Sequence, residues 1–261
     1  MSDKITNGFE ALFAEANQSL KRAGETLNLA VEGMQSGGYR HTYLQQQAAS
    51  VASVALDVNL LVSHGQFENV VGLCRIGFES RINLYAAMRV QEFVAQKWLA
   101  GAKGNVEELE EMVKDEPTSP LFQRELENYR KLLADMRRDF GAIEEKPWCK
   151  FKDVVKAAGL MREYEAHYPT MSKGVHNTLT GLAAKTDDRI LIRSVLNLLN
   201  DAVETCAALV FFPIPGEPSP RPLTTKWKEL TAQISTFQDE YGSLTKKLNE
   251  LTNESLRHPE N

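Results

Sequence analysis

The stretch Trp227-Lys-Glu-Leu230-Thr-Ala-Gln-Ile234-Ser-Thr-Phe237-Gln-Asp-Glu-Tyr241-Gly-Ser-Leu244-Thr-Lys-Lys-Leu248-Asn-Glu-Leu251 decides the fold class. Its apolar residues recur at spacings of 3, 4, 3, 4, 3, 4 and 3. This heptad alternation keeps one apolar seam along an α-helix. The positions between are mostly Lys, Glu, Gln, Thr and Asn, so the remaining faces are polar. A helix of this kind standing alone would leave its seam in water, so it needs a partner.

Upstream, Pro213-Ile-Pro215-Gly-Glu-Pro218-Ser-Pro220-Arg-Pro222 places five prolines in ten residues. Such a run is an extended, semi-rigid spacer and the clearest boundary in the chain. The expected organisation is a helical bundle over 1–212, a proline-rich linker over 213–222 and the heptad helix over 223–257. At the other end, Phe9, Phe13, Ala16, Leu20, Ala23, Leu27, Ala30 and Met34 repeat at 4, 3, 4, 3, 4, 3, 4, which predicts a first helix over about 4–34. The heptad helix has two natural mates, this first helix or a second copy of the chain. The Trp227–Leu251 stripe is therefore expected either to dock within the chain or to form a homodimer or bind a partner helix.

Between these ends the three- and four-residue period continues, and no alternating β-branched run bounded by hairpin signals occurs. The predicted helices cover about 42–63, 67–100, 106–114, 120–140, 153–167, 171–184 and 186–212. The second, rich in Ala and Val, reads as nearly all buried. Ser119-Pro120 supplies an N-cap with proline at the first helical position. Pro169 is expected to break or kink its helix. The fold class is all-α, a bundle of about eight helices with a C-terminal coiled-coil-like helix.

The chain has 261 residues, 43% hydrophobic and 25% charged, which is ordinary globular composition. Disordered, collagen-like and disulfide-scaffold classes are excluded. A net charge of −5 gives no global pull toward nucleic acid or anionic membrane, so such contacts would need a local patch. Three scattered cysteines without a CxxC pair indicate reduced thiols rather than a zinc site or disulfides. No segment at the N-terminus reads as a signal peptide, and the longest apolar run, Ala207 to Phe212, is far too short to span a bilayer. A cytoplasmic location is expected, with no cofactor and no metal. Phosphate-binding loops, dinucleotide turns, GxSxG elbows and HExxH pairs are absent.

Two helical segments carry polar residues where core is expected. In Leu73-Cys-Arg-Ile-Gly-Phe-Glu-Ser-Arg-Ile-Asn-Leu-Tyr85, Arg75 and Glu79 stand four apart and share a face, so they can pair. In Tyr164-Glu-Ala-His-Tyr-Pro-Thr-Met-Ser-Lys-Gly-Val-His176, the residues Tyr164, Tyr168, Ser172 and His176 repeat every four. On a continuous helix they line one face. His176 suits general acid or base chemistry because an unperturbed imidazole titrates near neutrality, and Ser172 could orient it. One bland alternative is a surface ion pair and a satisfied core histidine. A basic stretch, Lys146 to Lys152 with Lys156, interleaves Trp148 and Phe151 and could hold phosphate and stack bases, or serve as a solvated connector.

The succession Arg75-x3-Glu79, Trp148, then Tyr168-x3-Ser172-x3-His176 resembles a bacterial family known only as a domain of unknown function. The resemblance covers roughly residues 65–205. A looser resemblance, carried by Arg162-Glu-Tyr-Glu-Ala-His167, is to HEPN domains. That likeness implies an all-helical, often dimeric, metal-independent ribonuclease of the toxin or phage-defence kind. Arg162 or Arg75 would then stabilise phosphate, and His167 or His176 would act as acid or base. The competing expectation is a non-catalytic scaffold that binds itself or a partner through its terminal helices.

Overall fold

A computed structural model describes residues 2–34, 37–143, 150–177, 188–212 and 225–257, with the side chains of 2–6, 170, 173–177, 188 and 225–227 outside that description. Nine α-helices and no strand lie among the described residues. In order they are α1 (Ser2–Glu32), α2 (Tyr39–Ser63), α3 (Val70–Arg89), α4 (Phe93–Asp115), α5 (Pro120–Phe140), α6 (Phe151–Ala158), α7 (Met161–Asn177), α8 (Asp188–Phe211) and α9 (Thr225–Arg257). The chain is an all-α bundle.

The heptad seam is satisfied inside the chain. Leu230, Ile234, Phe237, Leu244 and Leu248 are buried, and α9 packs on α1 and α8. On α1 the predicted stripe faces inward, with Phe9, Ala16, Leu20, Ala23, Leu27 and Ala30 buried and Phe13 partly so. Polar contacts flank the seam: Arg22 pairs with Glu240 at 2.9 Å and Lys247 with Glu15 at 2.6 Å.

Around this pair, α3 is the central post, packed against α2, α6, α7 and α8. Gly77 permits its close approach, since a Cβ there would meet Leu198 Cδ1 at 2.5 Å. The second helix is buried along one face rather than throughout: Val51, Ala52, Ala55 and Val58 are enclosed, whereas Leu60 is 57% exposed. α8 is long and apolar enough to cross a bilayer from Arg189 to Phe211, yet 72% of that apolar window is buried, as in a core helix.

Three predicted boundaries are corrected. The helix expected over 67–100 stops at Arg89, and α4 then runs unbroken to Asp115 instead of beginning near 106. The stop is imposed by tertiary structure. The buried Arg40 of α2 donates from Nε to Ala87 O at 2.9 Å and from Nη2 to Met88 O at 3.1 Å, taking carbonyls that the last turn leaves open. Val90 then turns extended. The second correction concerns Pro169, which lies inside α7 rather than ending a helix. Tyr168 and Met171 pack into the core on either side of it, and that burial offsets the hydrogen bond proline cannot donate. The break falls earlier, at Gly159, whose φ of 71° needs glycine and whose missing Cβ makes room for the Arg89 guanidinium. Third, Ser119 precedes Pro120 as predicted, but its side chain makes no capping hydrogen bond.

α4 and α5 form an arm with its own small core of Leu99, Ala102, Val106, Leu126 and Leu133. The proline-rich linker and the Thr186-Asp187 cap lie outside the described residues.

Candidate functional site

The predicted polar residues meet where α7 crosses α3. Arg75 Nε donates to Glu79 Oε1 at 2.7 Å, and Arg75 Nη2 donates to the Tyr168 hydroxyl at 2.7 Å. Tyr168 in turn donates to Glu79 Oε1 at 3.1 Å, closing a triangle. The guanidinium also sits 4.9 Å from the centre of the Tyr168 ring. Tyr164 stacks on Tyr168 at 4.6 Å, and Phe151 of α6 packs against both rings. The hydrogen bond it donates to Glu79 holds the Arg75 guanidinium above its usual pKa, and burial followed by the Glu79 charge raises the Tyr168 phenol. One turn from Glu79, Asn83 accepts from Lys97 Nζ at 2.6 Å; burial depresses the Lys97 ammonium while the Glu79 charge opposes that shift. The triangle is a clamp joining two helices, and each of its hydrogen-bonding groups is engaged by another.

Ser172, one turn beyond Tyr168, is half-buried. α7 carries the backbone on through 176, but the His176 side chain lies outside the described residues, as do Trp148 and Lys146.

His167, the neighbour of Tyr168, points elsewhere because successive helical residues are about 100° apart. Its Nδ1 accepts from Asn197 Nδ2 of α8 at 3.2 Å. It lines a cavity of about 350 Å³ with Ala166 and Met171 of α7, Arg189, Ile190 and Arg193 of α8, and Leu248 and Thr252 of α9. Burial, then the Arg193 charge, holds the His167 pKa below its ordinary value. The lowered pKa leaves the ring neutral near pH 7, and the orientation of the Asn197 amide sets which ring nitrogen carries the proton. Nε2 bonds no described residue, and neither does Arg193, which is exposed at the cavity mouth. Arg162, paired with His167 in the sequence reading, is exposed and lies about 140° around α7 from it, so the two do not converge.

The cations beside His167 are instead Arg189 and Arg193, which the sequence reading missed. Their signal was present: Arg189, Arg193 and Asn197 repeat every four residues along one face of a helix rich in Leu, Ile and Val.

Behind the cavity lies a buried ion pair, Arg81 Nη1 to Asp201 Oδ1 at 2.8 Å, with side-chain exposures of 5% and 4%. Burial pushes the Asp201 carboxyl up to about 6 against the pull of Arg81. The paired Arg81 guanidinium stays charged above its own usual pKa. Arg81 also adds to the field that keeps His167 neutral. The thiols of Cys74 and Cys206 are buried and pushed up, the latter to about 12, so neither is a ready nucleophile. Among the described residues no group of three or more His, Cys, Asp or Glu is arranged to hold a metal.

The fold and these two sites define an all-helical bundle protein with a polar clamp at one helix crossing and a basic cavity beside it. Residues 41–189 match the model of a family of unknown function (DUF5677), more than half of the chain, and the chain belongs to that family. No curated protein and no solved structure matches it. The matched segment holds the clamp and His167, while Arg193, Asn197 and the α9 wall lie beyond it.

Proposed function

We propose that the protein is a helical effector of the HEPN kind that binds RNA and cleaves it without metal, with the His167 cavity as the reacting site. The single observation that carries this reading is the convergence of His167 and Arg193 on one half-open cavity. Cleavage needs a group to take the proton of the ribose 2′-hydroxyl as its oxygen attacks phosphorus. It also needs a proton for the departing 5′-oxygen and a fixed cation for the charge that gathers on phosphate. Arg193 supplies the cation in a form able to bind two phosphate oxygens. His167 handles the proton. Reversal of the Asn197 amide moves the ring proton to Nδ1 and frees Nε2 as a base, and the lowered pKa keeps that base unprotonated at neutral pH. The imidazolium so formed returns that proton to the 5′-oxygen as the P–O5′ bond breaks, leaving a 2′,3′-cyclic phosphate on one strand end and a 5′-hydroxyl on the other. A cytoplasmic location, which reduced Cys74 and Cys206 suit, goes with this reading.

The test is incubation of the purified chain with single-stranded and structured RNA in EDTA, beside His167→Ala, Arg193→Ala and Arg162→Ala. Loss of cleavage in the first two with retention in the third is expected. Cleavage absent, or equal in all four proteins, leaves the second reading.

That second reading is a non-catalytic helical scaffold that binds itself or a partner. It is favoured by the α4–α5 arm, which carries exposed Met112, Leu121 and Leu132 outside its own small core.

A further inference from the structure

We infer that one side of the α4–α5 arm is a docking face for a basic amphipathic helix of another protein. The inference deepens the partner-binding reading of the arm and rests on it; the RNA reading concerns a different place and is independent.

The arm has two open sides, and helical geometry sorts its residues between them. Phe93, Val94 and Trp98 pack with the main core, and from Leu99 onward α4 belongs to the arm, where Leu99, Ala102 and Val106 pack with Leu126 and Leu133 of α5. Successive residues step about 100°, which puts Met112 of α4 and Leu121 and Leu132 of α5 about 80–100° around from the packed faces in one sense. Glu110 of α4 and Arg130 of α5 fall about 60–80° around in the opposite sense. In an antiparallel pair equal senses lie on the same side, and the ion pair from Arg130 Nη2 to Glu110 Oε1 at 2.7 Å across the arm fixes the frame. Met112, Leu121 and Leu132 thus share the side away from that pair, and they are 37%, 62% and 42% exposed.

Charge divides along the same line. The same stepping of about 100° sets Glu108 of α4 and Glu125, Asp135 and Asp139 of α5 on the apolar side, and no lysine or arginine of either helix joins them. Lys103, Lys114, Arg130 and Arg137 stand on the other side. Asp135 and Asp139, toward the base of the arm, are engaged by Arg138 at 3.1 and 3.3 Å. Glu108 and Glu125, beside the three apolar side chains, bond no described residue.

These features name the occupant. The rise from Leu121 to Leu132 is about 16 Å, so the apolar residues match about three turns of a helix laid between α4 and α5. Unspent carboxylates on both helices suit a partner with Lys or Arg beside its apolar stripe. Met112 is unbranched and adapts to varied apolar surfaces. A second copy presenting this side would set carboxylate against carboxylate, and the phosphates of nucleic acid or anionic lipid would be repelled in the same way.

The test uses the full chain and two fluorescent peptides of about 18 residues, each with leucines at helical spacing, one with lysines and one with glutamates between them. In fluorescence anisotropy the lysine peptide should bind at least about tenfold more tightly than the glutamate peptide, and more weakly as salt rises. Glu108→Lys with Glu125→Lys should weaken it about tenfold or more, since attraction becomes repulsion at two positions. Leu132→Ser should weaken it as well. Glu107→Lys with Glu127→Lys makes the same charge change at exposed positions on the other side and should leave binding within about twofold of wild type. All variants should match the wild type in circular dichroism and melting. Equal loss in the two double variants overturns the inference, because attraction to net charge needs no face. Equal binding of the two peptides also overturns it and leaves the arm as a partner surface of other chemistry. A dimer in sedimentation velocity that Leu132→Ser dissolves replaces the basic helix by a second copy. A monomer that binds neither peptide loses both the inference and the partner-binding reading of the arm. RNA cleavage in EDTA is scored separately and bears on neither.

Discussion

Tyr168 and His167 are neighbours in the chain and opposites in what they do. Tyr168 turns toward α3 and enters a closed set in which Arg75, Glu79 and the phenol satisfy one another. His167 turns toward α8, where one ring nitrogen meets Asn197 and the other, like Arg193 beside it, bonds no described residue. A polar cluster whose members bond one another across two elements holds helices together. One that leaves donors unspent next to a cavity is equipped for a ligand. The distinction concerns hydrogen-bond accounting, and residue type alone does not give it.

The comparison can be broken most severely through the buried ion pair that joins α3 to α8. Asp201→Ala strands the Arg81 charge in the core and should cost about 3–5 kcal/mol in denaturant unfolding. A loss below about 1 kcal/mol would show that water reaches Arg81. Next comes the clamp. Arg75 and Glu79 side chains are 26% and 32% exposed, so Glu79→Ala should cost about 1–3 kcal/mol, less than the buried pair, and should leave RNA cleavage at its wild-type rate. A loss of cleavage equal to that of Arg193→Ala would merge the two regions into one site. Arg193→Ala should stay within about 0.5 kcal/mol of wild type in stability, because it bonds no described residue. A clear destabilisation would make Arg193 structural.

The smallest effect is in pH. His167 has a lowered folded pKa, so on acidification the unfolded chain takes up its proton first, near pH 6.5, while the folded ring still resists. Stability is thus lost as pH falls through that range and level above it. Asp201, raised to about 6, slopes the other way, its folded form taking up a proton before the unfolded one does. The difference between wild type and His167→Asn isolates the first slope. Identical pH profiles would mean the ring is solvated and ordinary.

The helices were legible because apolar residues repeat at three and four, and burial follows that repeat closely in α1 and α9. What misled was punctuation. Nothing in Val90-Gln-Glu signals a break, since Arg40, far away on α2, takes the α3 carbonyls. Pro169 signals a break that packing overrides. The site was half legible. A four-residue step paired Arg75 with Glu79 and set Tyr168 on a face with Tyr164 and Ser172, yet the same step at Arg189, Arg193 and Asn197 was not picked out. Arg162 and His167, joined by sequence distance, are separated by helical geometry. Proximity across helices, which decides which arginine reaches which histidine, is a property of the packed bundle.

The docking of α9 ties the cavity to how the chain folds. Ser19 and Glu240 are 221 residues apart in sequence, and Glu15 and Lys247 are 232 apart. Closing a loop of that length carries one of the larger entropic penalties in the molecule, so the α1–α9 contact is expected to form late and open early. Leu248 and Thr252 come with that helix, so the cavity is complete only in the fully assembled state. A ligand held there binds the docked form and not the undocked one. It must stabilise α9 by mass action, and protection of α9 amides from hydrogen exchange becomes a measure of occupancy.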